Sequence, residues 1–308
     1  MRKAFAEALV ELAERDGRVV LLTGDLGFTV LEPFAERFPG RFWNVGVAEQ
    51  NMVGVATGLA EAGYVPFVYS IATFASMRPY EFVRNGPALH GLPVRLVGVG
   101  GGFDYGNNGI THYALEDVGL MRLQPGMTVL VPADDDQTRA ALAATAALAA
   151  PAYLRVGREG PPIRGLDGRF ELGRAAFIGD GGDVLIAALG PLAREAVAAA
   201  ESLAAEGIEA TVAVVSSFNA GSFDDLADAL ARIPLVLTVE GHYVTGGLGT
   251  SIAELIAERG LDCRLVRHGV RALTPGQSGG QDFLHEQHAL TAKALVRTAA
   301  RAFQLAAR

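Results

Sequence analysis

The stretch that decides the fold is Asn44-Val45-Gly46-Val47-Ala48-Glu49-Gln50-Asn51-Met52. A strand is predicted at 42–47 and an apolar helix at 49–62, and the lone carboxylate Glu49 lies at their junction. Because this helix is apolar nearly all round, it is expected to be buried. A buried carboxylate is costly without a hydrogen-bond partner, and it is suited to holding or exchanging a proton. Alternatively, Glu49 is an ordinary acidic residue at a helix start, where glutamate is common.

Strand and helix patterns alternate on both sides of this stretch. Further strands are predicted at 19–22, 66–69, 94–99, 128–131 and 153–156. Further helices are predicted at 2–15, 79–89 and 115–122, and one more begins at the acidic cluster 134–136. Alternating strands and helices imply right-handed crossovers and a mainly parallel sheet, which is an α/β fold.

The alternation stops between 157 and 182, where glycine and proline are frequent. This region is predicted to be a linker with one short hairpin. A second set of elements follows, with strands at 183–187, 210–215, 235–239 and 264–267 and helices at 191–206, 248–258 and 287–305. We therefore predict two domains, 1–160 and 183–308, joined by a linker at 161–182, each a mainly parallel sheet flanked by helices.

The composition excludes several classes of function. The net charge of −8 gives no basic surface for nucleic acid. The single cysteine, Cys263, excludes an intramolecular disulfide and a cysteine-rich metal site. No apolar run reaches membrane-spanning length without a charge or a glycine, and the N-terminus lacks the apolar core of a signal peptide. A cytoplasmic protein without nucleic-acid or membrane partners is expected.

Gly46, Glu49 and Met52 form a G-x-x-E-x-x-M pattern that resembles the pyrimidine-binding domain of the transketolase family. The resemblance continues through most of the chain, with 183–308 similar to the family's C-terminal domain. It implies that the cofactor is thiamine diphosphate and that Glu49 bonds and activates its aminopyrimidine ring. The implied reaction transfers a two-carbon ketol unit from a ketose, phosphorylated or not, to an aldehyde acceptor.

Enzymes of this family also contain a diphosphate-binding domain, which carries a G-D-G motif and a later asparagine. The segment Gly179-Asp180-Gly181 precedes a strand instead of following one, so it is predicted to be a turn. The resemblance therefore implies one subunit of a split enzyme. Its partner would be an N-terminal subunit that carries the diphosphate site and the ligands of Mg²⁺ or Ca²⁺. An α2β2 heterotetramer is expected, with no metal ligand on this chain.

The resemblance also assigns residues around the cofactor. Phe74 matches the phenylalanine that stacks on the aminopyrimidine, although a core aromatic residue would fit the same pattern. Ile71 and Met77 take the places of aromatic residues nearby, as an apolar wall. Asp25 follows a strand end, where open α/β sheets bind ligands, and it matches an aspartate beside the cofactor. Thr29 matches a hydroxyl residue of the substrate channel.

The substrate residues combine a match with two departures. His112, in Gly109-Ile110-Thr111-His112, matches a catalytic histidine that faces the donor's hydroxyl groups, and a histidine can move a proton near neutral pH. Asn108 stands where sugar-phosphate transketolases have an aspartate, and an amide bonds a hydroxyl without charge. Their upstream phosphate-binding histidine has no counterpart in 99–102.

Two arginines favour recognition of an anionic substrate despite these departures. Arg158 and Arg2 match phosphate-binding arginines of the family. An arginine is suited to a bidentate grip on an oxyanion, but a solvated charge would fit each position as well. In the second domain, Glu240-Gly241-His242 and Gly246-Gly247-Leu248-Gly249 resemble the family's C-terminal signature. These glycines serve either an anion at a helix N-terminus or close packing.

Three alternative functions remain open. The β subunit of a 2-oxoacid dehydrogenase has the same two domains, but those chains lack the G-x-T-H element found at 109–112. A deoxyxylulose phosphate synthase-like enzyme normally keeps all its domains in one chain. A regulatory homologue would bind a partner and no cofactor, and the intact Glu49 argues against it.

Overall fold

The structure is a computed structural model that describes residues 1–306, with side chains described as far as residue 303. The strands are β1 (Val19–Thr23), β2 (Phe42–Asn44), β3 (Val65–Ile71), β4 (Arg95–Val99), β5 (Thr128–Leu130), β6 (Ala152–Val156), β7 (Ala175–Ile178), β8 (Val184–Leu189), β9 (Ala210–Val215), β10 (Ser217–Phe218), β11 (Leu235–Tyr243) and β12 (Arg264–Val270). The α-helices are α1 (Arg2–Arg15), α2 (Glu32–Arg37), α3 (Glu49–Glu61), α4 (Ala72–Met77), α5 (Tyr80–Val83), α6 (Asp117–Arg122), α7 (Asp135–Thr145), α8 (Ala193–Ala205), α9 (Asp224–Arg232), α10 (Leu248–Arg259), α11 (Gln281–Gln287) and α12 (Ala292–Ala306).

The first sheet has seven strands in the order β10-β5-β6-β4-β3-β1-β2. All neighbours are parallel except the short β10, which pairs antiparallel with β5. Strands β1, β4 and β6 are buried along their whole length because helices cover both faces of the sheet. The α/β fold predicted from the alternating pattern is confirmed.

The second sheet has five strands in the order β12-β11-β8-β9-β7. The hairpin predicted in the linker is wrong, because its one strand, β7, pairs antiparallel with β9, Ala175 lying opposite Val215. Strand β7 thus lies inside the predicted linker 161–182 but belongs to the second sheet. The reverse holds for strand β10, which lies within the predicted second domain, 183–308, but belongs to the first sheet. The domain limits 1–160 and 183–308 remain a prediction, and residues 307–308 lie outside the described chain.

Two predicted helices differ from those in the structure. The helix expected at 79–89 is the short α5 followed by a π-helical turn at Arg84–Ala88, which contains Pro87. Proline has no N–H to donate, so the regular α-helical ladder cannot continue through it. The helix expected at 287–305 is α12, which begins later, at Ala292. The separate helix α11 ends at Gln287, and Ala289 between them has a left-handed φ of 55°. No glycine or proline marks the gap between α11 and α12 in the sequence.

A buried polar network joins the two domains. Tyr153 donates its hydroxyl hydrogen to Asp117 Oδ2 at 2.7 Å, and Arg155 lies 3.1 Å from the same oxygen. Arg155 also donates to the carbonyl of Gly241 at 2.9 Å. His242 Nε2 accepts from the Gly119 N–H at 3.2 Å, and its Nδ1 lies 2.7 Å from the Tyr243 carbonyl. These partners define a neutral imidazole with its hydrogen on Nδ1, consistent with burial, which lowers the His242 pKa.

The glycine-rich segment before α10 serves close packing. Glu240 is fully buried and accepts hydrogen bonds from the N–H groups of Leu248 and Gly249, at 2.7 and 2.9 Å. A Cβ atom at Gly247 would lie 2.0 Å from Glu240 Oε2, so no larger residue fits there. The anion at this helix N-terminus is therefore the chain's own carboxylate. Burial raises the pKa of Glu240 to about 7, against the effect of both hydrogen bonds.

Candidate active site

The predicted site residues follow adjacent strands of the first sheet. Strand β3 lies between β1 and β4, and all three run parallel, so their carboxyl ends share one edge. The segments after these ends carry Asp25, Phe74 and His112, in that order of strands. An open α/β sheet binds ligands at this edge.

Glu49 is the centre of the site. It is the first residue of α3, and its side chain is 2% exposed. The Ser70 hydroxyl donates to Oε1 at 3.1 Å, and Arg78 Nη1 donates to Oε1 and Oε2 at 3.0 and 2.9 Å. Gly24 lies on another side, where a Cβ atom would come within 3.8 Å of Oε1. The carboxylate therefore faces side chains of the site, which a simple helix-start residue need not do.

The Phe74 ring contacts both Arg78 and His112 beside Glu49. Its half-buried ring lies under the Arg78 guanidinium, whose carbon is 3.8 Å from the ring centroid. The His112 ring meets the same ring edge-on, with the centroids 5.2 Å apart. Thr111 Oγ1 lies 3.0 Å from His112 Nδ1 and helps to orient the imidazole. Three residues predicted from the sequence, Glu49, Phe74 and His112, thus form one cluster with Arg78.

The predicted apolar wall is partly exposed. Ile71 is half-buried at the end of β3, and Met77 is 43% exposed at the end of α4. The Thr73 hydroxyl lies 3.5 Å from the Met77 sulfur, which holds that side chain beside α4.

Asp25, Thr29 and Asn108 are exposed at the same sheet edge. Asp25 has a left-handed φ of 59° and exchanges two hydrogen bonds with Asn44, both 3.0 Å long. Thr29 is also left-handed, with φ 66°, and its N–H donates to Glu32 Oε1 at 2.7 Å. Asn108 ends a short 3-10 turn four residues before His112. Left-handed conformations in residues other than glycine cost energy and are often found at functional sites.

Arg158 lies near the Tyr105 ring, and Arg2 is half-buried at the start of α1. The Arg158 N–H donates to Asp104 Oδ2 at 2.9 Å, and its guanidinium lies 5.3 Å from the Tyr105 ring centroid. Arg2 is half-buried, and among the described residues its Nε has no hydrogen-bond partner. Burial raises the pKa of Tyr69, and the charges of Tyr105 and Arg2 act on the same hydroxyl in opposite directions.

A cavity of about 450 Å³ lies between the two domains near Arg158. Arg155, Arg158 and Arg194 line it together with Asp104 and Glu195. Glu49 and His112 do not line this cavity. This cavity is therefore lined by other residues than the cluster around Glu49.

Sequence reasoning missed three side chains of the site, namely Arg78, Ser70 and Asn44. One signal was available for Arg78, because it follows Phe74 by four residues, and residues so spaced lie on one face of a helix. Ser70 and Asn44 are identified through their bonds to Glu49 and Asp25, which join residues distant in sequence.

Metal-binding clusters and membrane-spanning helices are not found in the described part of the chain. Within residues 1–306, no group of three or more histidine, cysteine, aspartate or glutamate side chains is arranged to hold a metal ion. Among the described helices, none combines the length and the apolar character needed to cross a membrane.

Comparison with known proteins places this geometry in a family. Residues 1–162 match the transketolase pyrimidine-binding domain, and residues 173–295 match the transketolase C-terminal domain. The 6-deoxy-6-sulfo-D-fructose transketolase subunit SqwH of Clostridium sp. (strain MSTE9) is 40% identical over 97% of this chain and 93% of that protein. An apulose-4-phosphate transketolase subunit of Phocaeicola vulgatus is 35% identical over 86% of each.

A solved structure described as a split gene transketolase, inactive beta4 tetramer, superimposes with a TM-score of 0.89. It is 37% identical, and the match covers 99% of this chain and 98% of that one. The chain therefore belongs to the transketolase family, which depends on thiamine diphosphate. The family resemblance and the transketolase-type function predicted from the sequence are confirmed.

Proposed function

We propose that this chain is the pyrimidine-binding subunit of a two-subunit transketolase, and that its active site contains Glu49, Phe74 and His112. The enzyme transfers a two-carbon ketol unit from a ketose donor to an aldehyde acceptor. It works in the cytoplasm, with a partner subunit that carries the diphosphate-binding domain.

The main observation in support of the proposal is that Glu49 and Phe74 together bind a planar group, the Arg78 guanidinium. The Arg78 guanidinium is planar, lies on the Phe74 ring and donates hydrogen bonds to both Glu49 oxygens. An aminopyrimidine ring is also planar and also carries N–H donors. The residues present therefore fit this part of thiamine diphosphate, with a protein group as the stand-in.

The roles of the residues follow from their positions. Glu49 would bond the aminopyrimidine ring and exchange a proton with it, and burial keeps water from competing. Phe74 supports the ring face, with Ile71, Met77 and Asp25 around it. When bound, thiamine diphosphate would supply the nucleophile that attacks the donor's carbonyl group. His112 and Asn108 hold the donor's hydroxyl groups on the other side of Phe74.

Exposed apolar side chains around the site support the need for a partner. Five of them lie on the segments that carry the site residues or next to those segments, namely Phe28, Trp43, Val47, Met77 and Ile110. Their exposed fractions range from 38% for Trp43 to 70% for Phe28. Exposed apolar side chains that together form one patch are typical of a protein interface. We place the diphosphate site and the ligands of Mg²⁺ or Ca²⁺ on that partner, in an α2β2 assembly.

The donor class follows from the arginines. Arg158 and Arg2, with Thr29 beside the channel, are proposed to bind an oxyanion at the far end of the sugar. The names of the two relatives include a sulfonated and a phosphorylated sugar. We therefore propose a ketose with a terminal anionic group, either sulfonate or phosphate, as the donor.

The test compares two glutamine variants of the reconstituted enzyme. Glu49→Gln is expected to fold and to lose turnover by at least about a hundredfold, because the amide keeps the shape and cannot relay the proton. Glu61→Gln, at the exposed end of the same helix, is the matched control and should keep its turnover. Near-normal turnover of Glu49→Gln would mean that Glu49 is a structural residue.

The same assay separates the alternative functions. Its donors are xylulose 5-phosphate, fructose 6-phosphate, 6-deoxy-6-sulfofructose, an unphosphorylated ketose and pyruvate. If pyruvate is the only one of these donors that the enzyme turns over, a 2-oxoacid dehydrogenase or a deoxyxylulose phosphate synthase-like enzyme would be favoured. Absence of cofactor binding in the presence of the partner would favour a regulatory homologue.

A further inference from the structure

The contact of Arg78 with Glu49 and Phe74 has the form of a bound ligand. The guanidinium carbon lies 3.8 Å from the Phe74 ring centroid, and Nη1 donates to both carboxylate oxygens of Glu49. The carboxylate is 2% exposed, whereas the Arg78 side chain is 43% exposed. One end of the arginine is thus inserted into the site, and the rest lies at the surface.

We propose that Arg78 is a built-in stand-in for the aminopyrimidine ring. It occupies the site in the free subunit and must swing out when thiamine diphosphate enters. This inference rests on the proposed function, because it takes Glu49 and Phe74 as the groups that bind the ring. The guanidinium and the ring need the same aromatic face and the same carboxylate, so both cannot be bound at once.

The free subunit has a physical reason to keep this arginine in place. Without Arg78, the buried Glu49 charge would retain the Ser70 hydroxyl, at 3.1 Å, as its side-chain partner. A buried carboxylate that loses its charge partner destabilises a protein, and the cost is smaller where that partner is partly exposed, as Arg78 is. The guanidinium compensates that charge and covers the Phe74 ring, so both groups have a partner before the cofactor arrives.

Release of the arginine is also feasible. Arg78 follows the last residue of α4, and Pro79 comes next, so the side chain lies at the end of an element. Its flexible stem and its exposure let the guanidinium move into water, where it is fully hydrated. The cost of this release reduces the apparent affinity for the cofactor, because the open form is a minority of the free subunit.

Two linked changes follow for an Arg78→Met variant, which keeps the stem and removes the guanidinium. The reconstituted enzyme should bind thiamine diphosphate about tenfold more tightly, since nothing has to be displaced. The unfolding equilibrium constant of the free subunit should rise by a similar factor, since the contacts of the guanidinium with Glu49 and Phe74 are missing. Arg84→Met is the matched control, because Arg84 is exposed, lies six residues on and bonds to Asn85.

The experiment has two readouts. Calorimetric titration of the enzyme, co-expressed with its partner subunit, with thiamine diphosphate at constant Mg²⁺ gives the cofactor affinity. Urea unfolding of the free subunit gives its stability. Tighter binding together with lower stability in Arg78→Met, with both unchanged in Arg84→Met, is the expected result. Should Arg78→Met fail to fold, Arg78→Lys keeps the charge without the planar fork and should also bind more tightly, by a smaller factor.

The outcomes distinguish this inference from the function on which it rests. If the wild-type enzyme binds the cofactor and the Arg78 variants bind it equally or less tightly, Arg78 is not a stand-in, although the proposed function remains. If the wild-type enzyme with its partner binds no thiamine diphosphate, the proposed function fails and the inference fails with it.

Discussion

Glu240 makes the stability of this protein depend on pH in an unusual direction. Burial raises its pKa from the ordinary value of 4.5 to about 7. A carboxyl group with a raised pKa in the folded state contributes stability that is complete below the unfolded value and is lost as pH rises through the folded one. Each pKa unit corresponds to about 1.4 kcal/mol, so this contribution falls by about 2–3 kcal/mol between pH 5 and pH 8.

The perturbation that isolates this effect is Glu240→Gln, which removes the titration. The amide offers one acceptor oxygen to the N–H groups of Leu248 and Gly249, where the carboxyl group offers two. Leaving one buried N–H unpaired costs about 1–3 kcal/mol, so the variant should be less stable than the wild type at pH 5. This difference should shrink by about 2–3 kcal/mol toward pH 8, because there the wild type carries a desolvated charge.

Urea unfolding at pH 5, 6, 7 and 8 measures the difference. Glu258→Gln is the control for a carboxylate on the same helix, α10, because Glu258 is exposed. A wild-type curve and a Glu240→Gln curve that stay parallel over this range would refute the reasoning, since Glu240 would then titrate alike in the folded and unfolded chains.

Further predictions concern the substrate side of the site. His112→Ala should lower donor turnover more than cofactor affinity, because His112 meets the edge of Phe74 and does not bond Glu49; calorimetry and steady-state rates compare the two, and equal losses would count against this role. Asn108→Asp should shift the preference among donors that differ in hydroxyl configuration or phosphorylation, because a carboxylate accepts hydrogen bonds more strongly and repels a nearby anion. Relative rates on xylulose 5-phosphate, fructose 6-phosphate and unphosphorylated ketoses measure this shift. A wild-type enzyme that prefers xylulose 5-phosphate over all other donors would contradict the inference drawn from Asn108.

The parts of the fold predictable from sequence depend on local patterns. The alternation of apolar strands and helices identified both α/β sheets, and the spacing of Gly46, Glu49 and Met52 identified the family. The segment of strand β7 was wrongly predicted to form a hairpin within the linker. Its true partner, β9, is some forty residues away, so the pairing leaves no local signal. The later start of α12 was missed because Ala289 takes up a conformation that is typical of glycine, which the sequence does not signal.

The candidate site divides in the same way. Phe74 and His112 were predicted from motifs, and the structure brings their rings together. Arg78 was missed because its role depends on the direction of a long side chain, which the sequence does not specify. The same applies to Glu240, since its burial arises from the packing of α10 against β11.

The most direct test of the central claim is a titration of this chain with its partner subunit at saturating thiamine diphosphate and Mg²⁺, with ketol transfer as the signal. The chain alone should give no turnover, because the proposed diphosphate site lies on the partner. Activity should rise with added partner and reach its plateau at equal amounts of the two subunits, as an α2β2 enzyme requires. Full turnover by this chain alone would contradict the account.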